Sequence, residues 1–173
     1  MKTFLVFALV AVAAEALPSS AQRPDVRFLP TPQNVVEAML TLAHVTPADI
    51  VFDLGSGDGR IPITAARKFG ARGVGVELDE RLVRLARENA ARAGVDERVT
   101  FIEGDLFQAD ISSATVVAIF LLPSLNVRLI PKFERELRPG ARIVSHHFAM
   151  GDRWVPDAEQ DVSGLMIYLW KMK

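Results

Sequence analysis

Ile50-Val51-Phe52-Asp53-Leu54-Gly55-Ser56-Gly57-Asp58-Gly59-Arg60 joins a short apolar run to three alternating glycines and then to a segment that can be helical. The run has the length and content of a buried strand, with one acid near its end. Glycines at 55, 57 and 59 let the backbone turn sharply and approach a ligand with no Cβ in the way. A helix over residues 60–69 then turns its free N–H groups toward whatever the loop holds. The stretch therefore reads as a strand, a cofactor loop and a helix, the opening unit of an α/β sheet.

Working outward, the same alternation continues. Residues 73–77 read as a second short buried strand closing on Glu77, and Asp79 as the cap of a helix over 80–93 that Gly94 ends. A third strand over 99–103 runs into Gly104-Asp105-Leu106-Phe107. Residues 115–122 are β-branched and uncharged, which predicts a fourth strand in a central position. A helix over 126–137, a turn at Pro139-Gly140, a fifth strand over 141–146 and a last strand over 165–170 complete the chain. The loop around 156–161 has room for one further short strand. Upstream, Thr31-Pro32 reads as an N-cap and first-turn proline before a helix that carries Val35, Val36, Met39, Leu40 and Leu42 on one face and ends near His44. The fold expected is a doubly wound, mostly parallel sheet with helices on both faces. Its ligand should lie beyond the carboxyl ends of the strands, where the strand order reverses.

The 173 residues are enough for one domain, half of them apolar, with a net charge of −1 and no global basic bias toward nucleic acid. The chain has no cysteine, which excludes disulfides, thiolate metal sites and cysteine nucleophiles. Lys2 precedes an uninterrupted apolar run over 4–14, and small residues follow through Ala16 and Ser19-Ser20-Ala21. Residues 1–21 therefore read as a secretory signal peptide or, if uncleaved, an N-terminal membrane anchor. The run is too short to span ~30 Å of hydrocarbon as a helix. Residues 22–173 are the domain, expected to be monomeric and either exported or held at a membrane facing the cytoplasm.

Three strand ends converge on one edge of such a sheet: Asp53 with its glycines, Glu77, and Gly104-Asp105. Glu77 follows Gly55 by 22 positions, close to the ~20 of a ribose-binding carboxylate. A dinucleotide loop would have glycine or alanine three residues after Gly57, where this chain has Arg60. Asp53 would repel a pyrophosphate but suits a cofactor bearing an ammonium group. These charges fit S-adenosylmethionine better than NAD, and an NAD-type nucleotide-binding protein stands as the alternative.

Asp53-Leu54-Gly55-Ser56-Gly57-Asp58-Gly59-Arg60, Glu77 and Gly104-Asp105 together resemble the cofactor motifs of class I (seven-strand) S-adenosylmethionine-dependent methyltransferases. The resemblance implies that Asp53, Gly55, Ser56, Gly57 and Gly59 hold the methionine end of the donor. It implies that Glu77 grips the ribose and Asp105 the adenine amino group, with Leu78 and Leu106 also at the cofactor. A narrower likeness lies in Phe28-Leu29-Pro30-Thr31-Pro32, Val35-Val36, Met39-Leu40 and Gly140-Ala141-Arg142-Ile143-Val144-Ser145. These resemble the small seven-strand protein-lysine methyltransferases, in which the segment before the first helix folds over the donor and shapes the lysine channel. Phe28, Pro30 and Thr31 are the matching positions. The function implied is protein-lysine N-methylation, with a small-molecule acceptor as the alternative.

Methyl transfer from a sulfonium asks mainly for alignment and exclusion of water, so no single base is obligatory. At the end of strand four stands Phe120-Leu121-Leu122-Pro123-Ser124-Leu125-Asn126. It lacks the Asn/Asp-Pro-Pro-aromatic signature of base-modifying methyltransferases, so no nucleic acid is expected as acceptor. Asn126 reads as a helix cap or as a group that orients an acceptor amine; Ser124 competes for the cap, and Thr31 is a third catalytic candidate. Of the adjacent His146 and His147, one should be packed and the other face solvent. Phe107, Phe148, Trp154 and Trp170 read as core or as the lining of an acceptor channel, with core favoured. No metal-ligand spacing stands out.

Overall fold

The structure is a computed structural model that describes residues 29–152 and 154–173. The N-terminal segment 1–21, read above as a leader or anchor, and Phe28 lie outside the described residues. In chain order the elements are α1 (Gln33–Leu42), β1 (Ile50–Leu54), α2 (Arg60–Phe69), β2 (Arg72–Glu77), α3 (Glu80–Arg92), β3 (Val99–Glu103), β4 (Val116–Ile119), α4 (Pro123–Glu136), β5 (Arg142–His146), β6 (Ala158–Val162) and β7 (Leu165–Lys171).

One seven-stranded sheet runs in the order β3-β2-β1-β4-β5-β7-β6. Strands β1 to β5 are parallel, and β7 runs antiparallel between β5 and β6. The chain winds outward from β1 in one direction through β2 and β3, and in the other through β4 and β5. The reversal between β1 and β4 opens a crevice beyond their carboxyl ends.

Both faces of the central strands are buried, as parallel strands require. Val35, Val36, Met39 and Leu40 of α1, with Ile61 and Ala65 of α2, cover Val51, Val116 and Val144 on one face. Leu125, Leu129 and Phe133 of α4 cover Phe52, Leu54, Val117, Ile119 and Ile143 on the other, where Trp170 is also fully buried. Helix α3 packs Val83, Ala86 and Ala90 against Phe101. Among the described residues no helix is long and apolar enough to cross a membrane.

Three local readings are corrected. Strand β4 stops at Ile119 rather than 122, because Ile119 is its last residue paired to Leu54 of β1 and Ser145 of β5. Helix α4 begins three residues earlier than the spacing suggested, with Leu122 as N-cap and Pro123 in the first turn. Proline is favoured there because its missing N–H is unpaired in any case. Thr31 is not the cap of α1; that position is Pro32, whose carbonyl accepts from Val35 and Val36 N–H at 3.0 Å. The loop before the last strand does hold a further strand, β6.

Close approach of α2 to the sheet depends on Gly73 in β2. A Cβ there would lie 2.7 Å from Pro62 Cβ and 2.8 Å from Pro62 O. The obstruction is partly backbone and cannot swing aside. Gly73→Ala should therefore cost about 1–3 kcal/mol of overpacking, read as a lower urea midpoint with an unchanged slope.

Candidate active site

The glycine loop is shaped by backbone torsions that side chains resist. Gly55, Gly57 and Gly59 have φ of 88°, 52° and 80°. At Gly59 a Cβ would also sit 2.5 Å from the Phe101 ring and 2.9 Å from Ala86. The loop is tied to β2 by Gly55 and Ser56 N–H, which donate to Val76 O at 2.8 and 3.0 Å. Glu77, at the end of β2, accepts from Gly57 N–H at 2.9 Å on one oxygen and from Leu78 and Asp79 N–H at 2.8 and 3.0 Å on the other. One carboxylate thus holds both the loop and the entry to α3. Asp79 caps that helix by accepting from Arg81 N–H at 2.9 Å.

A cavity of about 940 Å³ opens beyond the carboxyl ends of β1 to β4. Asp53, Gly55, Ser56, Glu77, Leu78, Asp105 and Leu106 all line it. Gly57 and Gly59 lie off its wall and shape the loop from behind. Asp53 is buried, and its carboxyl is pushed up to about 8, by burial first and then by the negative charges of Glu77 and Asp58. A buried acid beside two others is a site that a cation would relieve. Ser56 Oγ, also buried on this wall, has no hydrogen-bond partner among the described residues. An unpaired hydroxyl and an uncompensated acid at one end of the cavity suit the amino-acid moiety of S-adenosylmethionine. Asp105 Oδ1 accepts from Phe107 N–H at 2.8 Å, which fixes the carboxylate at the other end of the cleft.

The wall formed by the lead-in segment depends on contacts the sequence did not announce. Thr31 lines the cavity, and its Oγ1 lies 3.2 Å from His146 Nδ1. The carbonyl of Thr31 accepts from Arg60 Nη1 at 2.8 Å, while Arg60 also grips Asp58 at 3.0 and 2.6 Å. Arg60, noted in the sequence only as unfit for a dinucleotide loop, therefore holds the lead-in segment across the cavity. Nothing local in the sequence marks that role, since Thr31 is far away along the chain.

Asn126 and Ser124, the other two candidates for catalysis or capping, are not on the cavity wall. Ser124 is exposed in the first turn of α4. Asn126 is fully buried inside α4 and donates from Nδ2 to Phe148 O at 3.1 Å. It is a strut for the segment after β5. His146 is buried and His147 exposed, as their adjacency predicted. Phe107 and Phe148, for which core was favoured over a channel lining, line the cavity, whereas Trp170 is core and donates its indole N–H to Trp154 O at 2.8 Å. Phe120, Leu121 and Leu122 also line it; their place just past a central strand was the available signal. No group of three or more His, Cys, Asp or Glu among the described residues could hold a metal ion.

Comparison with known proteins places this geometry in a family. The model of the ANTKMT methyltransferase domain matches residues 53–158. A protein-lysine N-methyltransferase of Saccharolobus islandicus (strain REY15A) is 50% identical over 126 residues, covering 72% of this chain and 78% of its own. The adenine nucleotide translocase lysine N-methyltransferase of Mus musculus is 39% identical over 137 residues, 79% of this chain; the match spans 58% of the mouse protein's length. Among solved structures, an RNA methyltransferase from Salinibacter ruber in complex with S-adenosyl-L-homocysteine superposes with a TM-score of 0.82 and 55% identity, covering 83% of this chain and 94% of that one. The chain belongs to the ANTKMT methyltransferase domain family and is an S-adenosylmethionine-dependent methyltransferase of class I.

Proposed function

We propose that this protein is a protein-lysine N-methyltransferase, with the donor lying along Asp53, Glu77 and Asp105 and the lysine entering between the lead-in segment and the ends of β4 and β5. When bound, S-adenosylmethionine supplies a methyl group on a sulfonium that an acceptor lone pair can displace. Asp53 and Ser56 receive the amino-acid end, Glu77 the ribose and Asp105 the adenine amino group. Leu78 and Leu106 give apolar contact beside them. Thr31 and the Arg60 strap exclude water from the opposite side.

The observation that carries the acceptor class is the neutral, apolar character of the acceptor end. Phe120, Leu122 and Phe148 line it with Thr31 and His147, and none of these five is a carboxylate. Burial in such surroundings disfavours an ammonium and releases the lone pair a lysine needs. The names of the relatives from Saccharolobus islandicus and Mus musculus support the same acceptor. RNA is the second reading, favoured by the name of the Salinibacter ruber structure. Against it stands Phe120-Leu121-Leu122-Pro123, which offers no side-chain amide or carboxylate at the strand end to hold a base amine.

The test incubates the protein with methyl-labelled donor and a bacterial lysate, then separates protein, RNA and small metabolites. Acid hydrolysis of the protein fraction should yield labelled N-methyl-lysine. Label confined to RNA or to metabolites would overturn the lysine reading.

A further inference from the structure

We propose that Thr31 is the side chain that receives the acceptor nitrogen and that His146 is its positioning residue, a pairing that rests on the lysine reading above. Thr31 is 4% exposed and lines the cavity, so its hydroxyl is shielded from bulk water. Its backbone is held from one side by Arg60, through the 2.8 Å bond to its carbonyl. Its side chain is held from the other by His146 Nδ1 at 3.2 Å, across 115 positions of sequence. Thr31 is therefore fixed in both backbone and rotamer, as a group that sets a reacting atom's direction must be.

His146 is fixed in turn. Its ring packs on Phe120, with centroids 4.1 Å apart, and is 3% exposed. Burial, and then the neighbouring His147, push the imidazole down to about 4, so it is neutral at physiological pH. A neutral ring carries one proton. If Thr31 donates to Nδ1, that proton is on Nε2, which is buried with no partner among the described residues. The lone pairs of Thr31 Oγ1 then remain free to accept an N–H from the acceptor amine and set the direction of its nitrogen. The opposite tautomer would leave the threonine hydroxyl as a donor and tie up the nitrogen lone pair.

Burial alone gives no reason for the pair. Nε2 remains unsatisfied in either tautomer, a cost a core position could avoid with an apolar ring. Of the other polar groups at this end, His147 also lines the cavity but is exposed, with φ of 68°, and Asn126 is turned away toward Phe148 O. Thr31 is the buried polar group that faces the acceptor.

The experiment uses the full chain with labelled donor and bacterial lysate protein, and compares Thr31→Val, Thr31→Ser, His146→Phe and His146→Asn. Valine keeps the shape and backbone of Thr31, and phenylalanine keeps the stack on Phe120. Each should lower the rate of N-methyl-lysine formation at saturating donor by about 10- to 100-fold, with donor affinity by calorimetry within about twofold. Serine, and asparagine with its amide near the place of Nδ1, should recover most of that loss. The double variant should be no slower than either single one, because the two act as one unit. Nitrogen-15 NMR of His146 should show the Nε2–H tautomer. Undiminished turnover in Thr31→Val, a parallel loss of donor affinity, or an Nδ1–H tautomer overturns the inference. The wild-type control separates the two failures. If wild type forms no methyl-lysine, the lysine reading falls and takes this inference with it. Wild-type methyl-lysine with an unimpaired Thr31→Val removes this inference alone.

Discussion

Asp53→Ala should abolish donor binding while the sheet stays folded. The carboxylate is buried at the end of β1 beside the glycine loop, and it is the acid proposed to face the donor's ammonium. Removing one partner of a buried charge pair typically costs about 3–5 kcal/mol, which is a hundredfold or more in affinity. Asp53→Asn keeps the shape and isolates the charge. The pH dependence has a definite sign. In the ligand-free protein the Asp53 carboxyl is raised from its ordinary 3.8 to about 8, first by burial and then by Glu77 and Asp58. A raised folded value means that the acid's contribution to stability is present below its unfolded value and is lost as pH rises toward 8. A cationic donor prefers the ionised form, so its affinity should climb as pH rises from 6 to 8 and level off above. Below 8 each binding event should release a proton, which calorimetry in buffers of different ionisation enthalpy reads directly. Asp53→Asn should bind weakly with no such pH dependence, and its ligand-free form should be the more stable protein at pH 8.

Glu77→Ala should be nearly as damaging, for a different reason. Its carboxylate is the shared acceptor of Gly57, Leu78 and Asp79 N–H. Without it the loop and the entry to α3 keep unpaired donors. Hydrogen bonds to charged groups are worth about 1.5–3 kcal/mol each, so losing this set should cost roughly 3 kcal/mol of stability after water enters. Donor affinity should fall by about a hundredfold or more, because both the loop shape and the proposed ribose contact go. In Glu77→Gln one oxygen can still serve Leu78 and Asp79 while the amide opposes Gly57 N–H. That variant should recover most of the stability and little of the binding. Urea unfolding and calorimetry on the same samples separate the two effects.

The strand-end wall of the cavity was legible because its determinants are local. A strand, alternating glycines and acids at successive strand ends are spaced by the βαβ repeat itself, so Asp53, Glu77 and Asp105 reach one cavity by topology alone. The wall proposed to face the acceptor depends on contacts between distant segments. Thr31 looked like a cap because threonine before proline usually is one; its partner is a histidine on β5. Arg60 looked like a missing glycine, and its place is explained by Asp58 and the Thr31 carbonyl. Asn126 suggested a cap only while the helix was taken to start at 126 rather than at Pro123. Strand β6, Ala158–Val162, carries the polar run Glu159-Gln160-Asp161 and, among the described residues, pairs only with β7, so no apolar alternation announced it.

A crystal structure of the protein with S-adenosyl-L-homocysteine tests the account most directly. The ligand should lie in the cavity beyond β1 and β4 with its amino group against Asp53 and Ser56, its ribose hydroxyls on Glu77 and its adenine amino group at Asp105. Its sulfur should face the space bounded by Thr31, Phe120 and Phe148. A ligand seated elsewhere, or one lying in the cavity with no contact to Asp53 and Glu77, would contradict the account.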